Sequence, residues 1–224
     1  MGHDSLTSVP VCRRDNAPAG AVFRGHTDGL LPAAAGDAVP RPGSRVLARA
    51  RGYDLALCLA LNRAVRWGTV QRLFAVVSRL GDGVFWYALM AVLPLVYGGR
   101  GLRAASTMAA VAVVGLALYK LLKRRIIRPR PFAAHAAVRM GARPLDRHSF
   151  PSGHTLHAAG FTLVVLGYFP GLFWLVAPFA VLVALSRMVL GLHYPSDVLA
   201  GAVLGALLAE AGLAAAVLWV PLLP

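Results

Sequence analysis

Acidic residues are scarce in this chain of 224 residues, with 9 Asp and Glu against 23 Lys and Arg. Past residue 50 the acids are Asp54, Asp82, Asp146, Asp197 and Glu210 alone, too few and too scattered for the carboxylate cluster that a two-metal hydrolase needs. No metal and no cofactor is therefore expected. Lysine is scarcer still: Lys120 and Lys123 are the only two, so the formal charge of +14 is carried almost wholly by arginine. The two cysteines, Cys12 and Cys58, have no CxxC spacing and fix no disulfide framework. Residues 1–50 lack a hydrophobic h-region, so no cleavable signal peptide is expected. They also lack apolar periodicity and are rich in Pro, Gly, Ala and Arg. They read as a disordered tail ahead of a membrane domain at 51–224.

Charge itself is missing from Ser149 to Ser186, and that run is interrupted near its middle by Phe169-Pro170-Gly171. It reads as two membrane-crossing helices joined by a tight turn, which returns both open ends to one membrane face. The chain is 58% hydrophobic, and its apolar residues stand in blocks at 84–98, 104–122, 155–169, 171–185 and 198–221. The expected fold is an all-α integral membrane bundle with five or six spans. The stretch 53–80 differs, because Arg63, Arg66, Arg72 and Arg79 are too many charges for a bilayer core. One or two amphipathic helices lying in the interface are expected there, with a poor first span as the alternative. Gly81-Asp82-Gly83 then breaks the helix. The connections near 99–103 and at Pro170 are minimal and share one face, whereas 123–150 and 188–196 elaborate the other. Bases placed between membrane blocks meet lipid headgroups and phosphorylated substrates, so membrane lipids are the expected partners and nucleic acid is not.

Three polar clusters gather on the elaborate face. The first ends the second block, where Pro129 and Pro131 stop the helix and hold Lys123 and Arg130 beyond the bilayer core. Arg124, Arg125 and Arg128 read as a collar that snorkels to headgroups. The second is Pro151-Ser152-Gly153-His154, with Ser152 a natural N-cap and Gly153 exposing backbone in the first turn. A helix N-terminus of this kind suits phosphate, although an ordinary capped start with an interfacial histidine fits equally well. The third is Ser186-Arg187, then His193 and Asp197 at the start of the last block, with Pro195 at N1. A carboxylate within reach of His193 fixes its tautomer and raises the basicity of the other ring nitrogen, as a nucleophilic histidine requires. His154 and His157 share a helix face, but no further zinc ligand is near in sequence. His135 and His148 read as solvated. Glu210, ionisable within the last block, is either functional or a hydrogen bond across helices.

As a set, Lys123-x6-Arg130-Pro131, Pro151-Ser152-Gly153-His154 and Ser186-Arg187-x5-His193-x3-Asp197 resemble the tripartite signature of the type 2 phosphatidic acid phosphatase and vanadium-dependent haloperoxidase superfamily. The resemblance covers roughly residues 80 to 215. It implies a helical bundle with a phosphate site at the membrane surface. Lys123, Arg130 and Arg187 would hold phosphoryl oxygens, with further hydrogen bonds from Ser152 and Gly153. His193 would attack phosphorus, Asp197 would orient it, and His154 would protonate the leaving oxygen. The expected activity is a metal-independent membrane phosphatase acting on a lipid phosphomonoester or isoprenyl diphosphate through a phosphohistidine. The rivals are a non-catalytic lipid-phosphate binding protein and a vanadate-dependent haloperoxidase-like enzyme. The resemblance also implies a bacterial inner membrane with the site on its outer face, although the basic loop 123–150 would obey the positive-inside rule in the cytoplasm.

Overall fold

The computed structural model describes the backbone of residues 42–219 and the side chains of residues 48–217. Every regular element among them is helical. Helix α1 (Pro42–Asn62) starts within the segment read from sequence as tail, and the rest of that tail lies outside the described residues. A 3₁₀ turn at Arg63–Arg66 leads to α2 (Gly68–Arg79), a π-helical segment at Leu80–Val84 and the long α3 (Phe85–Arg125). Short α4 (Pro131–Ala134) sits in the basic connection, and α5 (Gly153–Tyr168), α6 (Phe173–Val189) and α7 (Pro195–Trp219) complete the bundle.

Helix α3 is two arms. Gly98 has φ +56°, a left-handed conformation that glycine adopts without strain, and it turns the chain back on itself. A Cβ on Gly101 would lie 1.9 Å from the Leu93 carbonyl oxygen, so the arms touch backbone to backbone just beyond the turn. Tyr97 stacks on Phe169 with ring centroids 4.3 Å apart, and Arg100 donates to the Tyr168 carbonyl. The Gly98 and Pro170 turns therefore lie side by side. All remaining connections collect at the opposite end.

Three helical stretches are long and apolar enough to cross a membrane among the described residues: Gly68–Arg125, Pro170–Val189 and Pro195–Val217. The first contains the Gly98 turn, and α5 has only 16 residues, so length alone does not return the expected five or six. The core is built by Trp86, Leu93 and Met108 of α3 with Val164 and Val165 of α5 and Val176 and Val183 of α6. Helices α5 and α7 pack most closely, because α7 presents glycine where the backbones meet: a Cβ on Gly205 would stand 2.2 Å from the Leu156 carbonyl oxygen. In a bilayer, where apolar surface drives little association, such close approach is what holds helices together.

Arg63, Arg66, Arg72 and Arg79 are all exposed, as an interfacial placement of α1 and α2 demands. The segment is nonetheless tied to the bundle. Asn62 is buried and donates to the carbonyls of Val189 (2.8 Å) and Arg139 (2.9 Å), while Arg139 N–H donates back to its Oδ1. Glu210 is exposed and makes no hydrogen bond among the described residues, so of its two readings the bond across helices is not formed there. The helical period explains this: Val203 and Leu207, one and two turns before it, are exposed as well.

Candidate active site

Backbone hydrogen bonds stitch the three polar clusters into one surface. Ser149 N–H donates to the Arg128 carbonyl (2.8 Å) and Ser152 N–H to the Asp197 carbonyl (3.0 Å). The buried Arg130 closes the ring by donating from Nη1 to the Leu192 carbonyl at 2.8 Å. Lys123, at the last turn of α3, donates from Nζ to the His148 carbonyl at 2.9 Å, so the backbone at His148 is part of the wall. Segments distant in sequence are thereby fixed before any ligand arrives.

The cations face one another across Asp146. Its Oδ1 pairs with Lys123 Nζ and, at 2.8 Å, with Arg130 Nη2; Tyr119 donates to Oδ2. Burial pushes this carboxyl upward, but the hydrogen bonds from Lys123 and Tyr119 and the nearby charges overcome that and hold it at about 2. A carboxylate between two cations marks a seat for anionic oxygen. Arg187 is buried, with Nη1 on the Ser78 hydroxyl and Nε without a partner.

His193 is buried in the connection between α6 and α7, whose backbone N–H groups return to the Arg187 carbonyl. Its Nε2 lies 3.3 Å from Arg130 Nη1, a donor, so Nε2 offers its lone pair and the proton is assigned to Nδ1. Burial, then the charges of Arg187, Arg130 and Lys123, hold the imidazole well below its usual range. It is neutral at pH 7, as a nitrogen nucleophile must be.

Asp197 departs from expectation. Its Oδ2 lies 3.8 Å from His193 Nδ1, beyond a hydrogen bond, and that nitrogen is buried without a partner. The same Oδ2 accepts Tyr194 N–H at 2.9 Å, the reach of an N3 carboxylate back to its N-cap residue. The other oxygen accepts from Arg128 Nη1 at 2.6 Å. Arg128 is therefore not a headgroup-facing collar residue. Its second nitrogen pairs at 2.6 Å with Asp54 of α1, and Asp54 also accepts Ser196 N–H at 2.9 Å. Arg124 and Arg125 remain exposed, as a collar should be.

In the second cluster Ser152 stands at the N-cap of α5 with extended backbone, yet its buried hydroxyl pairs with Thr155 Oγ1 at 2.9 Å and makes no cap hydrogen bond. Gly153 has a packing reason beside any binding one, since a Cβ there would fall 2.7 Å from the Tyr119 ring. His154 Nε2 faces Asp82 Oδ1 at 3.4 Å. His157 turns away, its Nδ1 3.0 Å from the Gly153 carbonyl and its Nε2 3.4 Å from that of Ala112, so the two histidines do not converge on an ion. Among the described residues no three His, Cys, Asp or Glu side chains are grouped to hold one. Asp54, Asp82, Tyr119, Arg128 and Asp146 were invisible as site residues in the sequence; the one local signal was the position of Asp146 just ahead of Ser149.

A ring of cations with two histidines is a seat for a phosphoryl group, set here at the end of an apolar membrane bundle. A family model described as the PAP2 superfamily matches residues 101–219. The chain belongs to that superfamily. It is 35% identical over 133 residues to the decaprenylphosphoryl-5-phosphoribose phosphatase of Mycobacterium tuberculosis, covering 58% of this chain and 71% of that protein. It is 29% identical over 156 residues to the undecaprenyl-diphosphatase of Sulfolobus acidocaldarius, covering 69% and 74% respectively. The crystal structure of a transmembrane PAP2 type phosphatidylglycerolphosphate phosphatase from Bacillus subtilis superposes with a TM-score of 0.60 at 26% identity, over 73% of this chain and 84% of that one.

Proposed function

We propose that this protein removes a phosphate from a lipid phosphomonoester or an isoprenyl diphosphate, with His193 as the nucleophile and His154 as the general acid. The observation that carries the reading is the neutral, buried His193, its lone pair turned to Arg130 inside a ring completed by Lys123 and Arg187. His193 Nε2 attacks phosphorus while the bond to the leaving oxygen breaks, and His154 gives that oxygen a proton. Lys123, Arg130 and Arg187, with Ser152 and the Gly153 N–H, balance the charge spread over the phosphoryl oxygens. Water then attacks the phosphohistidine, returning a proton to His154 and releasing inorganic phosphate. The relatives that act on decaprenyl- and undecaprenyl-linked phosphates support a polyprenyl carrier among the candidate substrates.

The test is phosphate release by the purified protein in detergent from a panel of polyprenyl diphosphates, phosphatidylglycerophosphate, phosphatidate and lipid A. At least one lipid should be hydrolysed, with rates unchanged in excess chelator and suppressed by vanadate. No release from any lipid would leave the non-catalytic binding protein as the better reading. Loss on chelation, restored by a divalent ion, would overturn the metal-free route.

We infer five crossings: the two arms of α3, then α5, α6 and α7. We infer that the site faces outward from a bacterial inner membrane, because the positive charges that would otherwise argue for the cytoplasm include Lys123, Arg128 and Arg130, which the site itself uses. Ala136 is exposed in the basic connection, so Ala136→Cys should react with an impermeant thiol reagent in intact cells. Protection until the cells are opened would reverse the orientation.

A further inference from the structure

The mechanism leaves Asp82 unused, yet the turn that carries it is built to a narrow specification. Gly83 has φ +142°, which residues with a Cβ rarely adopt. Gly81 is buried so closely on α6 that a Cβ would meet Val183 Cγ2 at 2.5 Å. Between these two glycines Asp82 is held with Oδ1 3.4 Å from His154 Nε2. No other carboxylate pairs with His154 among the described residues. Burial first, and then Arg187 from α6, His193 from the next connection, His157 on its own helix and Arg130, all disfavour a cation at His154. Asp82 is in turn within range of Arg79 and Arg187.

Asp82 and His154 also share the wall of a cavity of about 390 Å³, otherwise lined largely by apolar side chains that include Leu116 and Phe161. Trp86, in the same wall, is fully buried with its indole Nε1 unpartnered. A buried donor without a partner is uncommon and fits a ligand oxygen.

We propose that Asp82 is a positioning residue for the general acid, and that the cavity it borders receives the leaving-group side of the substrate. This rests on the phosphatase reading and deepens it. Asp82 accepts the Nε2–H of His154, which supports the imidazolium against the neighbouring arginines and leaves the Nδ1–H for transfer. As the phosphorus–oxygen bond breaks, its electron pair stays on the leaving oxygen, which takes the Nδ1 proton. His154 is then neutral, still hydrogen-bonded to Asp82, with Nδ1 free to accept a proton from the attacking water. The arrangement parallels the carboxylate–imidazole pairs that fix a catalytic tautomer elsewhere.

The test compares two substrates on one preparation of Asp82→Asn: an alkyl lipid monophosphate, whose alkoxide leaves badly without a proton, and p-nitrophenyl phosphate, whose phenolate leaves readily. Turnover of the alkyl substrate should fall about 10- to 100-fold, as outer-layer partners of working histidines typically cost, and turnover of the aryl substrate less than about threefold. The ratio of the two rates is independent of the folded fraction. Asp82→Glu should recover the alkyl rate in part. In a His154→Ala background Asp82→Asn should add nothing to the alkyl loss. Equal losses on both substrates, no loss on either, or full additivity with His154→Ala would overturn the assignment. A wild-type protein that hydrolyses neither substrate would instead refute the phosphatase reading on which it rests.

Discussion

His193→Ala should abolish phosphate release from every substrate, whatever its leaving group, because it removes the atom that attacks. His154→Ala should fail differently. A proton donor contributes about 100- to 10,000-fold when the leaving oxygen is basic, so a lipid monophosphate should lose that much and an aryl phosphate far less. His193 Nε2 faces a guanidinium, which suits a lone pair and opposes a proton, whereas the group opposite His154 Nε2 is the Asp82 carboxylate at 3.4 Å. Phosphate release measured for both substrates with both variants, each shown folded by its detergent melting curve, checks this. Equal losses throughout would mean that the two roles are wrongly assigned.

Asp197→Asn should lower turnover by about 100- to 10,000-fold, the upper figure being the loss when the carboxylate of a Ser-His-Asp site becomes an amide. Burial and the surrounding arginines already hold His193 well below its usual range. The stability this neutral histidine contributes is present above the unfolded value near 6.5 and is lost as pH falls toward the lower folded value. Its activity follows the same sign, with the acid limb of kcat/KM lying below 6.5. Removing the negative charge nearest Nδ1 makes the imidazolium less stable still, so the acid limb in Asp197→Asn should move to lower pH while the plateau drops. A pH profile taken on a soluble aryl phosphate reads both changes. A plateau that falls with an unmoved or raised acid limb would show that Asp197 serves only to cap α7 and anchor Arg128.

That second possibility has a structural basis the sequence did not disclose. His193 and Asp197 are four residues apart, and adjacency in sequence suggested a direct pair. The carboxylate is in fact shared between the Tyr194 N–H and Arg128, with His193 at 3.8 Å. Arg128 reads as one more base in a run of five at a helix end, and nothing local separates it from the exposed Arg124 and Arg125. Only its position opposite Asp54, whose partner Ser196 is 142 residues away, makes it a structural clamp. By contrast Lys123, Arg130, Arg187 and His193 were singled out because their spacing, together with Pro151-Ser152-Gly153-His154, matches the tripartite signature. The helix starts at Gly153 and Pro195 followed from the N-cap position of Ser152 and from proline at N1, whereas the short helix that begins at Pro131 was read only as a stop. Ser152 was placed correctly at its helix start, but its hydroxyl prefers Thr155, a choice made by burial and not by local propensity. Span counting by length is blind to α5, whose 16 residues are packed inside the bundle with their polar start held by the neighbouring clusters.

The measurement that bears most directly on the central claim is the capture of phosphorus on His193. Wild-type protein is mixed with a lipid substrate labelled with radioactive phosphorus, quenched in alkaline detergent within one turnover, and the label located by peptide mapping. The account expects label that survives alkali and is lost in acid, as a phosphorus–nitrogen bond behaves, on the peptide containing His193, and no label on His193→Ala. Label absent from a protein that is turning over, or bound through an alkali-labile ester elsewhere in the chain, would contradict it.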